Sequence, residues 1–507
     1  MCKLTNFHVA RRKNMKKYIL TTALLAALVL SCTVSCTNAD PSNGEGAGPD
    51  TQPVETSPYL DDLPADLKFG NETVNITVGD YSSAYWDDMY SEERTGNRFN
   101  EAVYDAILAV EERLEVDLEY TRKEYAWGNR NTHYSSIIGQ ILANDSAFDL
   151  LFDGIDYRAQ MEEGEYFVNL AETAYINLDQ PWYNQSLIEN APTEYIHSVV
   201  GDFSIGNLKN SFIIYFNQDL LDASGITEDL YSVVDSGNWT FDKLEALLND
   251  TYVDDGNTVR DANDRYGLTF GDQNKYYGFT NAFGMHAFDK TADEYEFVLD
   301  NERNVTAFQT IVEFINSNEN VLASRRLDPG LDADYEISSS GGNTVSKLFV
   351  DGNALFTVSL IADAPSIIPE IDFEFGILPL PKLDDVQENY ANGLQRIFFA
   401  MIPTTCADTD RSSAVLEALT SQFYSSVIPE YVEVTLKTRY SPTDNISRMF
   451  DIATDAITFY PDALYGSSVT LPDTKINIVN NNPNWVSIVA SVKPAVLEHL
   501  GTLDSKD

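Results

Sequence analysis

Apolar and polar positions change period several times along the first part of the chain. Thr73–Asp80 alternates apolar and polar residues, which predicts a strand, and Arg98–Leu114 has apolar residues at helical spacing, which predicts a helix. A strand at Val116–Thr121, a helix at His133–Ala143 and a buried strand at Phe148–Ile155 follow. This order of strands and helices predicts an α/β unit with a mostly parallel sheet.

The middle of the chain has an equally clear pattern. The apolar run Phe212–Phe216 predicts a buried strand, and the short helix after it is expected to end at Gly225. Thr240 is predicted to cap the N-terminus of a second helix. Trp239 and Leu244 occupy the two positions of a hydrophobic staple around that cap, so the local sequence favours a defined helix start.

The amino-acid sequences of these and later segments resemble those of a known family. YFNQDLLDASG at Tyr215–Gly225, WTFDKL at Trp239–Leu244, GILPLPK at Gly376–Lys382 and the segment Thr435–Ala453 occur in the order found in extracellular solute-binding proteins, family 1. These are the sugar-type receptors of bacterial ABC importers. The alternative is that these motifs reflect core packing common to many α/β proteins.

The resemblance implies an α/β fold of the two-lobed, periplasmic-binding-protein-like type II class, with a hinge and an inter-lobe cleft. On this basis we expect residues 70–205 plus 374–425 to form the first lobe. Residues 206–373 plus 426–507 are expected to form the second. The length of 507 residues also favours two lobes, because it is too long for one hydrophobic core.

The charge of the chain narrows the range of partners. The formal net charge is −46, and residues 1–31 hold six cations and no acid, so their removal would leave −52. Such a surface repels phosphate backbones and disfavours nucleic acid as a partner. Anionic substrates are disfavoured too, unless a local basic pocket overrides the global field. The four cysteines show no metal-binding spacing.

The N-terminus has the pattern of a lipoprotein signal peptide. Lys16 and Lys17 precede a short apolar run that ends in Leu-Ser-Cys at Cys32, so we expect translation to start at Met15 and Cys32 to be lipidated. Cys36 is a second candidate, and an ordinary secretory signal is the alternative. Residues 32–69, rich in Pro, Gly and Ser, predict a flexible tether. The expected location is the outer face of the cell membrane.

Four candidate ligand contacts follow from the predicted first sheet. Ligands of open α/β sheets bind outside the carboxyl ends of the strands. That rule selects Asp80, Tyr81 and Asp153, with Trp127 on the loop after the second strand. The alternative for each residue is a solvated loop position.

Four further candidates lie later in the chain, and the resemblance supplies the first two. Asn207 lies where such chains first cross between lobes, and Gly284 lies in an apolar segment that the resemblance places near the ligand. Arg396 is a candidate hydrogen-bond donor in the cleft, and Trp485 is a candidate stacking platform. Core packing for Gly284 and Trp485, and a structural ion pair for Arg396, are the alternatives.

Catalytic and metal-binding motifs are missing from the sequence. There is no HExxH, GxSxG or P-loop, so we expect neither an enzyme nor a cofactor. The acidic loop Asp254–Phe270 resembles a calcium loop but has Arg265 at an alternating ligand position, so no metal is predicted.

Three functional hypotheses remain. The first is a monomeric, lipid-anchored substrate-binding protein of an ABC importer, which captures a carbohydrate, most simply an oligosaccharide, and delivers it to a membrane permease. The second is a surface glycan hydrolase with a carboxylate pair. The third is an all-helical glycan-binding lipoprotein, against which the strands at Phe148–Ile155 and Phe212–Phe216 argue.

Overall fold

A computed structural model describes most of the compact unit Ser57–Asp507. The described residues are 59–81, 85–145, 147–154, 166–191, 195–260, 263–270, 273–291, 295–323, 347–433, 444–460 and 472–503. Cys32 and the predicted signal peptide lie outside these ranges. No helix within them combines the length and apolar character needed to cross a membrane.

The strands in these ranges belong to two main sheets and one hairpin. They are β1 (Glu72–Tyr81), β2 (Val116–Tyr125), β3 (Leu150–Asp153), β4 (Phe212–Asn217), β5 (Tyr266–Phe270), β6 (Phe288–Lys290), β7 (Tyr295–Phe297), β8 (Val321–Leu322), β9 (Ala354–Leu360), β10 (Phe375–Leu378) and β11 (Phe399–Met401).

The α-helices surround the two sheets. They are α1 (Arg98–Leu114), α2 (Arg130–Leu142), α3 (Gln185–Glu189), α4 (Gly206–Lys209), α5 (Gln218–Ala223), α6 (Leu230–Asp235), α7 (Phe241–Leu248), α8 (Tyr276–Ala282), α9 (Glu302–Ser317), α10 (Lys347–Val350), α11 (Ala364–Ile367), α12 (Thr409–Gln422), α13 (Ile428–Glu430), α14 (Asp444–Asp455), α15 (Thr474–Val479) and α16 (Trp485–Leu503). Short 3-10 turns and a π-turn at Phe423–Val427 complete the chain.

The first lobe is built on the sheet β11-β3-β1-β2. β1 pairs in parallel with β2 and β3, as the alternation of strands and helices predicts, and β11 joins antiparallel at the edge. Asn97 caps α1 by accepting a hydrogen bond from the backbone N–H of Phe99, and α1 packs against α12. The parallel order brings the carboxyl ends of β1, β2 and β3 to one edge.

The second lobe is built on the sheet β10-β4-β9-β5-β8. β4 is buried along its whole length between β10 and β9, which explains its continuous apolar run. The predicted helix start is confirmed, because the Thr240 side chain accepts from the Lys243 backbone N–H. Trp239 is fully buried and donates from Nε1 to the Pro379 carbonyl at 2.8 Å.

The return crossings lie later than the sequence predicts. We expect the first return to the first lobe at residue 374, but β10 pairs with β4 and so extends the second lobe to at least Leu378. The π-turn Phe423–Val427 and α13 pack on α1, so the first lobe also continues past residue 425. Cross-strand hydrogen bonds decide the first boundary and helix packing decides the second, and a sequence motif reveals neither of these long-range contacts.

Candidate functional site

The carboxyl ends of the parallel strands carry an aromatic wall. Tyr81 and Tyr125 are register partners on β1 and β2, and their ring centroids lie 5.5 Å apart. The Tyr125 hydroxyl donates to Asp153 Oδ1 at 3.1 Å, and His133 Nε2 lies 2.7 Å from Asp153 Oδ2. His133 also stacks on the Tyr125 ring, with centroids 4.2 Å apart. Asp153 is fully buried, and its contacts with Tyr125 and His133 hold the aromatic rings in place.

Asp80 at the end of β1 fixes the position of Tyr85. Its Oδ1 accepts a hydrogen bond from the Tyr85 backbone N–H at 2.9 Å, and its Oδ2 pairs with Arg122 Nη2 at 2.5 Å. Asp80 is fully buried, whereas Arg122 is partly exposed. The carboxylate thus holds Tyr85 close to the strand end, and the charge of Asp80 is balanced by Arg122.

Arg396 lies against the aromatic wall. Its guanidinium carbon is 4.5 Å from the centroid of the Tyr81 ring, and Nη1 donates to the Tyr85 hydroxyl at 3.2 Å. Burial raises the pKa of Tyr85 to about 12, so its hydroxyl stays protonated beside the cation. Tyr85 also packs on Phe398, with ring centroids 4.2 Å apart. The fold therefore brings the predicted residues Tyr81 and Arg396 together.

Asp88 joins the site although its residue type alone did not single it out. Oδ1 pairs with Lys209 Nζ at 2.7 Å, and among the described residues Oδ2 has no hydrogen-bond partner. Burial raises the pKa of Asp88, and the opposing effect of Lys209 is smaller. Asp88 and Tyr85 both stand in the loop after β1. The rule that selected Tyr81 could therefore have found them if extended through that loop.

Two crossing segments lie side by side at this point and form what we call the hinge ribbon, residues 207–212 and 392–398. Asn207 on the first segment accepts from the Phe398 N–H at 2.8 Å and donates to the Phe398 carbonyl at 3.2 Å. Asn392 on the second segment donates to the Phe212 carbonyl at 3.0 Å. Asn207 thus clamps the ribbon, which is a supporting position beside Arg396.

The second lobe reaches the same ribbon through Lys275. This lysine is 2% exposed, and its Nζ lies 3.4 Å from Asp363 Oδ2 and 2.9 Å from Gln395 Oε1. Gln395 and Arg396 are consecutive residues, and they contact the second and the first lobe respectively. These two contacts place this part of the ribbon between the two lobes.

Trp127 and Gly284 are two further predicted ligand contacts. Trp127 begins a 3-10 turn between β2 and α2, but its side chain is outside the described set. Gly284 has a φ of 68° at the end of α8, and a Cβ there would lie 3.1 Å from the Tyr460 hydroxyl. Its role as a ligand contact stays a prediction.

Trp485 as a stacking platform is wrong in this structure. The side chain is 1% exposed, stacks on Phe308 with centroids 4.2 Å apart, and donates from Nε1 to the Leu299 carbonyl at 3.0 Å. These contacts place Trp485 in the core under α9. An aromatic residue at the start of an amphipathic helix is drawn into the core because its burial removes a large apolar surface from water.

Comparisons with solved structures identify the fold of this chain, whereas sequence comparisons assign it to no family. No family model and no curated protein sequence matches the chain. An extracellular solute-binding protein from Staphylococcus aureus, solved with maltose, is 10% identical with a TM-score of 0.54, over 86% of this chain and 100% of its own. The GacH receptor of Streptomyces glaucescens, solved with acarbose, is 13% identical with a TM-score of 0.51, over 85% and 99%.

A third solved structure agrees with these two. The cyclic α-maltosyl-1,6-maltose-binding protein of Arthrobacter globiformis is 15% identical with a TM-score of 0.51, and covers 85% of this chain and 99% of its own. All three similarities extend over most of the described unit. The chain therefore has the two-lobed α/β fold of the periplasmic-binding-protein type.

Proposed function

We propose that this chain is a substrate-binding protein of family 1 that captures a carbohydrate for an ABC importer and does not transform it. The observation that carries this proposal is the Tyr81–Arg396 cluster at the lobe junction, where an aromatic face and a guanidinium group lie beside the hinge ribbon. Aromatic faces pack on the apolar side of a pyranose ring, and guanidinium groups donate to its hydroxyl oxygens. The sugar ligands of proteins with similar folds support the same assignment.

The proposed ligand contacts are Tyr81 and Arg396, with Trp127 and Gly284 as further candidates. Asp80, Asp153 and Asn207 support the site by holding its aromatic and backbone groups in place. This arrangement favours binding over glycan hydrolysis. A hydrolase would need two carboxyl groups facing the substrate, whereas Asp80 and Asp153 are buried and bonded to neighbouring side chains.

The anchor and the delivery step belong to the same proposal. Lipidation at Cys32 and a tether that ends before the folded unit begins at Ser57 would hold that unit at the outer face of the membrane, next to a permease. The predicted end of the tether at residue 69 is wrong, because Asp61 is buried and pairs with Arg113 at 2.5 Å. We infer that it acts there as a monomer. The composition of the tether, rich in Pro, Gly and Ser, supports delivery to the permease because a flexible segment allows the anchored unit to reach a membrane protein beside it.

A ligand screen tests the proposal. The full chain is melted with and without mono- and oligosaccharides, because a ligand that binds the folded state raises the melting temperature by mass action. We expect one sugar class to raise it and to be recovered chemically unchanged. Conversion of the sugar to a product would instead support the hydrolase hypothesis, and a shift with peptides alone would contradict the carbohydrate assignment.

A matched pair of variants locates the site. Arg396→Met should weaken binding of that sugar at least about tenfold, the effect of losing one charge-assisted hydrogen bond. Arg448→Met removes an exposed ion pair between α14 and α6, Arg448 with Asp235 at 2.9 Å, and should leave affinity unchanged. Equal affinity of the two variants in calorimetric titration would place the ligand elsewhere.

A further inference from the structure

A second set of hydrogen bonds joins the lobes outside the hinge ribbon. We call this set the clasp, and define it as residues 184–191 of the first lobe, the β6–β7 hairpin, and residues 456–459 of the second lobe. Residues 184–191 belong to the first lobe because Asn184 donates its backbone N–H to the Val200 carbonyl, and the neighbouring Val199 bridges to Ala400 in β11. Residues 456–459 follow α14, which packs on β10 of the second lobe.

The hairpin bonds to the end of α3. Lys290 Nζ donates to the carbonyls of Glu189 and Ala191, both at 2.9 Å, and the Tyr295 hydroxyl donates to the Ala191 carbonyl at 2.8 Å. The last carbonyls of a helix lack donors within the helix, and a cation there is favoured by the helix dipole. The second lobe therefore supplies donors for acceptors that the first lobe cannot satisfy with its own backbone.

The segment after α14 adds hydrogen bonds in both directions between the lobes. Ser186 Oγ accepts from the Phe459 N–H at 2.8 Å, and Asn190 Nδ2 donates to the Phe459 carbonyl at 2.9 Å. Asn184 Nδ2 donates to the Ile457 carbonyl at 3.3 Å. Polar side chains of the first lobe thus bond to the backbone of the second lobe as a neighbouring strand would.

The clasp is continuous with the hinge ribbon. The Asn392 N–H donates to the Ala456 carbonyl at 2.7 Å, and the Thr458 N–H donates to the Asn392 carbonyl at 3.0 Å. One side of residues 456–459 therefore contacts the ribbon and the other contacts α3. Any rotation of the lobes about the ribbon has to move α3 relative to the hairpin.

We propose that the clasp limits how far the two lobes open. Its bonds to Lys290 lie at the surface, where water competes for both partners, so each contributes little and the set breaks reversibly. Two lobe arrangements separated by a few such bonds are both populated, and removing bonds shifts their ratio. This proposal concerns lobe opening and stands apart from the identity of any ligand.

The test compares lobe opening in ligand-free full chain. Lys290→Met with Tyr295→Phe removes the three bonds to the end of α3 and keeps side-chain size. We expect a larger radius of gyration in solution scattering and about tenfold faster hydrogen exchange at the Phe459 amide, the effect of losing one to two net hydrogen bonds. Lys290→Arg keeps a cationic donor and should behave like the wild type.

A matched control removes a lysine pair within one lobe. Lys243 in α7 pairs with Glu228, both in the second lobe and outside the clasp, so Lys243→Met removes the same charge without contacting the clasp. Unchanged scattering and exchange in the double variant, or the same change in Lys243→Met, would overturn the proposal. If the double variant melts early, Lys290→Met alone carries the test because Tyr295 remains in place. No sugar is needed, so failure here is distinct from failure of the ligand screen.

Discussion

At the lobe junction Tyr81 is half-buried and carries Arg396 on its ring face, whereas in the second lobe Trp485 is enclosed between Phe308 and the Leu299 carbonyl. Both are aromatic residues that the sequence selects as ligand contacts. One lies where two lobes meet, and the other fills a core. Burial and contact partners, which come from tertiary packing, therefore decide whether an aromatic residue is available for recognition.

The largest expected effect separates these two aromatic residues directly. Trp485→Ala should lower the free energy of unfolding by about 3–5 kcal/mol, because it leaves a cavity beside Phe308 and the Leu299 carbonyl without its donor. Tyr81→Ala should lower it by about 1 kcal/mol or less, since Tyr81 is only half-buried. Urea denaturation measures both values. Equal destabilisation would remove the distinction between core and junction.

A second prediction contrasts buried carboxyl groups. Glu417 in α12 is 1% exposed and accepts from the Tyr183 hydroxyl at 2.8 Å, and burial raises its pKa from 4.5 to about 7. Asp80 at the junction is also buried, but it is paired with the cation Arg122. The folded state therefore holds the Glu417 proton more tightly than the unfolded chain does.

The sign of the pH effect follows from that shift. The contribution of Glu417 to stability is fully present below about pH 4.5 and is lost as the pH rises toward about 7. Glu417→Gln should remove about 3 kcal/mol of this pH dependence between those values. Unfolding free energies of wild type and variant at several pH values check it. Parallel curves for the two proteins would show that Glu417 is not the titrating group.

The smallest expected effect lies in the hinge ribbon. Asn207→Ala leaves the N–H and the carbonyl of Phe398 without their side-chain partners and should lower the free energy of unfolding by about 1–3 kcal/mol. Asn477→Ala removes a bond to the Asp473 carbonyl and one from the Asn482 side chain, and it should have a smaller effect because neither bond is fully buried. Hydrogen exchange at the Phe398 amide should accelerate only in the first variant. The opposite ranking would mean that the ribbon is not held by Asn207.

Local signals in the sequence determined the elements of this protein. The period of apolar residues gives α1 its observed bounds, Arg98–Leu114, and Thr240 caps α7 as its position predicts. The carboxyl-end rule selects Tyr81, and residue chemistry selects Arg396 as a candidate donor. These features depend on residues a few positions apart, and short-range spacing is visible in a linear sequence.

Only the tertiary structure decided which of these residues meet. The bond from Arg396 to Tyr85 joins positions 311 residues apart, and the clasp joins Lys290 to Glu189 across 101 residues. The sheet that β10 joins and the burial of Trp485 were decided in the same way. Such contacts arise when lobes and sheets pack, and their geometry depends on the whole fold. Residue type and spacing identify candidate positions in the sequence, but the role of each residue depends on how the whole chain packs.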